Sequence, residues 1–163
     1  MIYIVRYRFL KYTPEHTAIA ESFFDEEARR MTGCDDGWED YYSYYMSEES
    51  VEKPEEDFWC RLVYLDGLPL GILAFGIHEG TLTVSEFVLS PEMRGKGHGN
   101  AILTDFLEEY TVNCGLDYER AMAVIFPENT ASRRAFEKAG FVFDSAHPDG
   151  DALYYIYQNR IKK

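Results

Sequence analysis

No stretch of this sequence is apolar for long enough to cross a membrane as a helix. The longest run without a charged residue, Gly67 to His78, contains three glycines and a proline, whereas a helical span takes roughly 18 apolar residues or more. Arg6 and Arg8 interrupt the opening apolar pattern, which excludes a secretory-signal pattern there. The expectation is therefore an intracellular, cytoplasmic protein without a membrane partner. Cysteine is scarce: Cys34, Cys60 and Cys114 are widely spaced and form no CxxC pair, so neither a disulfide framework nor a zinc site is indicated. His16, His78, His98 and His147 are equally scattered, and no metal is expected. Positive charge is also in short supply, with 16 Lys and Arg against 29 Asp and Glu and a formal net charge of −13. Residues 1–80 hold 7 of the basic and 17 of the acidic side chains. Such a chain repels a phosphate backbone, which argues against nucleic acid as a partner. It attracts small cations, or the charge serves solubility alone.

What the sequence does have is a core-forming composition, 46% hydrophobic over 163 residues, enough for one domain, 1–163. Alternation in residues 2–10 predicts a first strand, and Thr13-Pro14 opens a helix whose apolar stripe is Ile19, Phe23, Phe24 and Ala28. Residues 33–57 read as a short helix plus loop. Strands follow at Phe58–Leu65, Leu68–Ile77 and Thr81–Leu89. Asp66-Gly67 between the first two is a hairpin signal that makes them antiparallel. Helical spacing then runs from Gly99 to Val112, followed by a strand at Ala121–Phe126, a helix from about Thr130 to Ala139 closed by Gly140, and strands at Phe141–Phe143 and Leu153–Tyr157. The predicted class is α/β, a mixed and mostly antiparallel sheet flanked by helices. No repeat or low-complexity segment is present.

The chemistry concentrates at Val88-Leu89-Ser90-Pro91-Glu92-Met93-Arg94-Gly95-Lys96-Gly97-His98-Gly99, a strand passing through a glycine-rich turn into a helix. Unpaired N–H groups at a helix start bind anions, and glycine lets a diphosphate approach the main chain. The P-loop spacing fails because Gly97, not Ser or Thr, follows Lys96, and dinucleotide-fold spacing places no glycine at Asn100 or Ile102. The spacing Arg94-x-x-Gly97-x-Gly99 resembles the coenzyme A diphosphate loop of the GNAT acyltransferase superfamily. A second segment, Asn129 to Phe141, is similar to that family's Asn-x-x-Ala-x-x-x-Tyr-Glu-Lys-x-Gly-Phe, with Ser132 at the alanine and Phe136 at the tyrosine.

The resemblance implies a GNAT-like domain that transfers an acetyl group from acetyl-CoA to a primary amine. It implies that the main chain at Val88 and Leu89 holds the pantetheine arm, that the turn Arg94, Gly95, Lys96, Gly97, His98, Gly99 holds the diphosphate, and that Asn129, Ser132, Arg133 and Phe136 line the cofactor site. The acidic N-terminal half favours a small cationic amine as acceptor. Glu86 shares a strand face with Val88 and is the candidate base; otherwise it is a solvated or paired strand residue. The tyrosine that often serves as acid is replaced by Phe136, which leaves Tyr154, Tyr155, Tyr110 or solvent for that role. Its loss also motivates the alternative of a coenzyme A-binding sensor with little turnover. Trp38, Tyr41, Tyr42, Tyr44 and Tyr45 beside Asp35, Asp36, Glu39 and Asp40 form either a cation-binding surface or a packed helix face. Arg133, Arg134 and Lys138 either meet a 3′-phosphate or stay solvated. A homodimer is compatible with the sequence, which does not fix oligomeric state.

Overall fold

The computed structural model of the chain describes residues 7–45 and 59–159; the opening strand residues 2–6, Phe58 and the loop residues 46–57, all read above from sequence, lie outside them. The strands are β1 (Arg8–Lys11), β2 (Trp59–Leu65), β3 (Leu68–His78), β4 (Thr81–Leu89), β5 (Arg120–Ile125), β6 (Val142–Ala146) and β7 (Leu153–Gln158). Among the described residues they form one sheet in the order β1-β2-β3-β4-β5-β7-β6. Every neighbouring pair is antiparallel except β4 and β5, which are parallel. The Asp66-Gly67 and Glu79-Gly80 turns adopt the positive φ that two-residue hairpins require, so the expected β2-β3-β4 meander forms.

The first helical region differs from the sequence expectation. A short 3-10 turn, Pro14–His16, leads into α1 (Thr17–Phe23), and the chain then breaks before α2 (Glu26–Thr32). Asp25 causes the restart: its side chain accepts from the Ala28 N–H at 2.9 Å, the local bond by which an aspartate competes with continued helix. Gly33, at φ 75°, closes α2. The apolar stripe of Phe23, Phe24 and Ala28 is buried as expected. After α3 (Trp38–Tyr45) and the meander, α4 begins at His98 and runs through His98–Asp105, a π-helical turn at Phe106–Tyr110 and a final turn at Thr111–Asn113. The widened turn lets Phe106 and Tyr110 stack at 5.6 Å, with Phe9 against both. Helix α5 is Thr130–Lys138.

Two cores lie on opposite faces of the sheet. One packs Leu73, Phe75, Leu82 and Val84 against Ile102, Leu103 and Phe106 of α4 and Phe136 of α5. The other packs Leu62, Ile72, Ala74 and Val88 under Phe23, Phe24, Ala28 and Trp38. Trp38 is fully buried and stacks on Phe24 at 5.5 Å, with Tyr12 edge-on to it. The packed-helix reading of this aromatic group therefore holds for Trp38; the side chains of Tyr44 and Tyr45 lie outside the described set.

Strand β4 changes phase at one extra residue. Ala74 faces Glu86 and Phe75 faces Val84, which leaves Ser85 as a bulge. Leu82 and Val84 before it, and Phe87 and Leu89 after it, pack on the α4 side, while Val88 faces the α1–α3 side. The bulge also marks where β4 parts from β5: the parallel pairing runs from Thr81↔Arg120 to Val84↔Ala123 and ends there. A bulge bends its strand and re-aims the side chains beyond it, so the two strands splay and open a cleft.

Candidate active site

The end of β4 beyond the splay borders a cleft of about 450 Å³. Its walls are the end of β4 at Phe87, Val88 and Leu89, the glycine turn, one face of α5 from Ala131 to Lys138, and the inward face of α2. Gly95 and Gly97 have φ of 73° and 83°, left-handed values that suit glycine, and a Cβ at either would meet no atom within 4 Å. No side chain caps α4, so the turn offers first-turn N–H groups to the cleft. Gly99 has a different task. A Cβ there would lie 3.2 Å from the Ala135 side chain, so it permits α4 and α5 to close together at the cleft's end.

The expected cofactor residues divide on inspection. Val88, Leu89, Arg94, Gly95, Gly97, His98, Gly99, Asn129, Ser132 and Phe136 all line the cleft. Lys96 is exposed on the turn and Arg133 turns away, and neither is part of the lining. Arg133 instead donates through Nε to the Tyr155 hydroxyl at 3.2 Å and through a terminal nitrogen to the Pro127 carbonyl, while Arg134 and Lys138 face the cleft in its place. Helical spacing contains that signal: Ala131, Arg134, Ala135 and Lys138 recur at i, i+3, i+4, i+7 and share one face. Asn129 caps α5, its carboxamide oxygen accepting from the Ser132 N–H at 3.2 Å. His98 meets the Tyr7 hydroxyl through Nδ1 at 2.9 Å. Glu27, Ala28, Met31 and Thr32 of α2 complete the wall. No spacing motif announced these four.

Arg94 does not present its guanidinium to the cleft as a spare charge. It donates to the Leu89 carbonyl, to both carboxylate oxygens of Asp25 and to the Phe23 carbonyl.

Glu86 shares the α1–α3 face with Val88, as its spacing predicted, and is 7% exposed. It is not part of the cleft lining. Cys34, in the turn after α2, donates its thiol to Glu86 Oε1 at 3.5 Å, and the Cys34 N–H donates to the hydroxyl of Thr32, a residue of the cleft wall. Burial pushes the Glu86 carboxyl up to about 8, with the Cys34 thiol hydrogen bond opposing. Burial, with the nearby Glu86 charge, pushes the Cys34 thiol up to about 12, so it is no nucleophile.

None of the tyrosines considered as acid lines the cleft. Tyr155 is buried in the α4-side core with its hydroxyl between Arg133 and Glu137, and Tyr110 accepts from Arg61 Nε at 2.8 Å. Tyr154 neighbours Tyr155 on β7, paired with Val124 and Ser145. Strand alternation therefore turns it to the opposite face of the sheet. Phe136 lies edge-on to Phe87 and Phe141. Among the described residues Thr32 and Ser132 bring the side-chain hydroxyls of the cleft wall. His147, Asp149 and Asp151 bring possible ligand atoms within 4.8 Å of one another in the β6–β7 turn, away from this lining.

The profile of the acetyltransferase (GNAT) family matches residues 16–141, well over half of the chain. The chain belongs to the GNAT acetyltransferase family. No curated protein sequence matches it significantly. Among solved structures, this acetyltransferase is similar to the aminoglycoside acetyltransferase AAC(6′)-Ib in complex with coenzyme A, at 17% identity and TM-score 0.75 over 95% of this chain and 96% of that one. AAC(6′)-Ib with paromomycin and acetyl-CoA gives 17% and 0.74 over 96% and 98%. A variant of the spermidine N-acetyltransferase SpeG from Vibrio cholerae gives 11% and 0.71 over 94% of each chain. The open, mostly antiparallel sheet is thus the GNAT fold. Among the described residues no helix is long and apolar enough to cross a membrane.

Proposed function

We propose that this acetyltransferase moves an acetyl group from acetyl-CoA to the primary amine of a small cationic acceptor. The observation that carries the reading is the splay of β4 from β5, opening onto a glycine turn whose N–H groups and open left-handed positions suit a diphosphate. Acetyl-CoA supplies an acetyl thioester, activated toward amines. The residues fit it: the β4 edge beyond Val84 has main-chain groups for the amide-bearing arm, the turn from Gly95 to Gly99 suits the diphosphate, and Arg134 and Lys138 suit the 3′-phosphate. That AAC(6′)-Ib and SpeG are enzymes of aminoglycoside and spermidine acetylation supports a polyamine-like acceptor, as does the acidic N-terminal half.

In this reading Glu86, which lies behind the cleft wall and not on it, takes the proton of the acceptor ammonium through water. A buried carboxylate near 8 is a base matched to neutral pH, and a cation beside it favours its ionised form. Phe136 has no proton to give, so the departing thiolate takes one from solvent. The same Phe136 supports the rival reading, a coenzyme A-binding sensor. Thiol release measured on a panel of polyamines, aminoglycosides, amino acids and peptides separates them. A charged polyamine or aminoglycoside is expected to drive release, with KM rising as salt rises. Coenzyme A binding with release no faster than in buffer would favour the sensor.

A further inference from the structure

The arginine of a glycine-rich diphosphate turn is an obvious phosphate ligand, yet this one is already engaged. Arg94 Nε donates to the Leu89 carbonyl at 3.1 Å. One terminal nitrogen donates to Asp25 Oδ1 and Oδ2 at 3.0 and 2.9 Å, and the other to the Phe23 carbonyl at 2.9 Å. The Glu27 carboxylate stands 3.7 Å from the same guanidinium. Two carboxylates already offset one positive charge, so little is left to attract phosphate.

The acceptors come from two elements with different duties. Leu89 ends β4 and lines the cleft; Phe23 ends α1 and Asp25 sits in the break before α2. Asp25 also caps α2 through the Ala28 N–H, and α2 carries Glu27, Ala28, Met31 and Thr32 on the cleft wall. One carboxylate thus both starts the wall helix and ties it to the end of β4. Planar guanidinium reaches several acceptors at once, which a lysine ammonium on its flexible stem does not reproduce.

We propose that Arg94 is a positioning residue that, through Asp25 and the Phe23 carbonyl, clamps α2 against the end of β4 and so sets the width of the cofactor cleft. This rests on the reading of the cleft as a coenzyme A site. It gives the sequence a reason to keep arginine in the turn that is separate from phosphate charge.

Calorimetric titration of coenzyme A into the wild type and the variants Arg94→Ala, Arg94→Lys and Asp25→Asn tests the proposal. The carboxamide in Asp25→Asn keeps an oxygen for the cap but gives up the ion pair. A clamp predicts that all three lose affinity by about fivefold or more, since the charge-assisted pairing of the guanidinium with Asp25 is lost or weakened in each. It also predicts that the salt dependence of Kd is unchanged, and that amide hydrogen exchange speeds up across Glu26–Thr32 in each variant. A phosphate ligand predicts the reverse: Arg94→Lys keeps most of the affinity, Asp25→Asn binds as well or tighter because the guanidinium is released, and Arg94→Ala flattens the salt dependence. Either of the first two outcomes in folded protein overturns the clamp. Wild-type protein that binds no coenzyme A overturns the cofactor reading itself, and is told apart because exchange at α2 still reports on the clamp.

Discussion

Replacing Glu86 by glutamine keeps the size of the side chain and an acceptor oxygen for the Cys34 thiol while removing the ionisable group. Burial moves this carboxyl from its ordinary 4.5 up to about 8 in the folded chain. The folded state therefore holds a proton that the unfolded state releases, so stability falls as pH rises between those two values and levels off above the higher one. At about 1.4 kcal/mol per pH unit the interval amounts to about 5 kcal/mol, a large share of the roughly 5–15 kcal/mol that holds a typical domain folded. Glutamine does not titrate. Its extra buried N–H donors cost about 1–3 kcal/mol if unpaired, a penalty independent of pH. The stability of Glu86→Gln relative to wild type should thus climb steadily from pH 5 to pH 8, then flatten. Urea unfolding of both proteins at each pH measures the difference. The same carboxyl is about one-tenth ionised at pH 7, so wild-type kcat/KM should rise almost tenfold per pH unit below about 8. In the variant, turnover at saturating amine should fall by about 10² or more if Glu86 is the base. A stability difference that stays constant across the pH range would refute the burial argument, and unimpaired turnover would refute the catalytic one.

Gly97→Val places a β-branched residue at φ 83°, at a strain of about 1–2 kcal/mol. The open space around it preserves the fold while the turn relaxes away from its anion-binding shape, so calorimetry should show coenzyme A affinity at least tenfold weaker. Arg134→Ala should weaken coenzyme A binding by about three- to tenfold, as loss of one cationic phosphate contact does; Arg133→Ala should leave it nearly intact, and dephospho-coenzyme A should erase the gap between them. Phe136→Tyr should raise turnover if protonation of the thiolate limits the rate; if the added hydroxyl points instead at Phe141, thermal unfolding should report a loss of about 1–3 kcal/mol for a buried unpaired group.

The parts of the architecture written in local chemistry were legible in the sequence. Asp66-Gly67 set a hairpin, Gly95 and Gly97 set a turn that only glycine tolerates comfortably, and the Asn129 to Phe141 segment marked the helix opposite. What was hidden depended on contacts between distant residues. A continuous apolar stripe across Phe23, Phe24 and Ala28 masks the break at Asp25, because a cap and a helix interior share the same hydrophobic neighbours. The basic triplet gave Arg133 and Arg134 equal standing until α5 had a direction. Arg94 looked like spare positive charge because its partners Asp25 and Phe23 are about seventy residues away. Glu86 showed its face but not its depth, since nothing in a strand pattern reports that Cys34 and a helical layer cover it.

The phase shift at Ser85 separates two properties of β4 that depend on its length in different ways. Side chains on the α4 side fall on even numbers as far as Val84 and on odd numbers from Phe87 onward. A ladder that absorbed Ser85 as an ordinary member would carry Glu86 into the α4-side core and swing Phe87 toward α2, exchanging an acid for an aromatic ring on both faces at once. Such a slipped register is penalised by every residue beyond the slip, so the neighbours of Ser85 hold the irregularity in place. Deleting Ser85 acts differently. It removes the shift together with the residue that requires it, so Glu86, Phe87 and Val88 keep their present faces while the strand loses its bend. The parallel pairing with β5 would then have reason to continue past Val84 and close the opening between the strands. A chain one residue shorter would keep both of its cores and lose its doorway, whereas substitution at Ser85 leaves the residue count, and with it the doorway, alone.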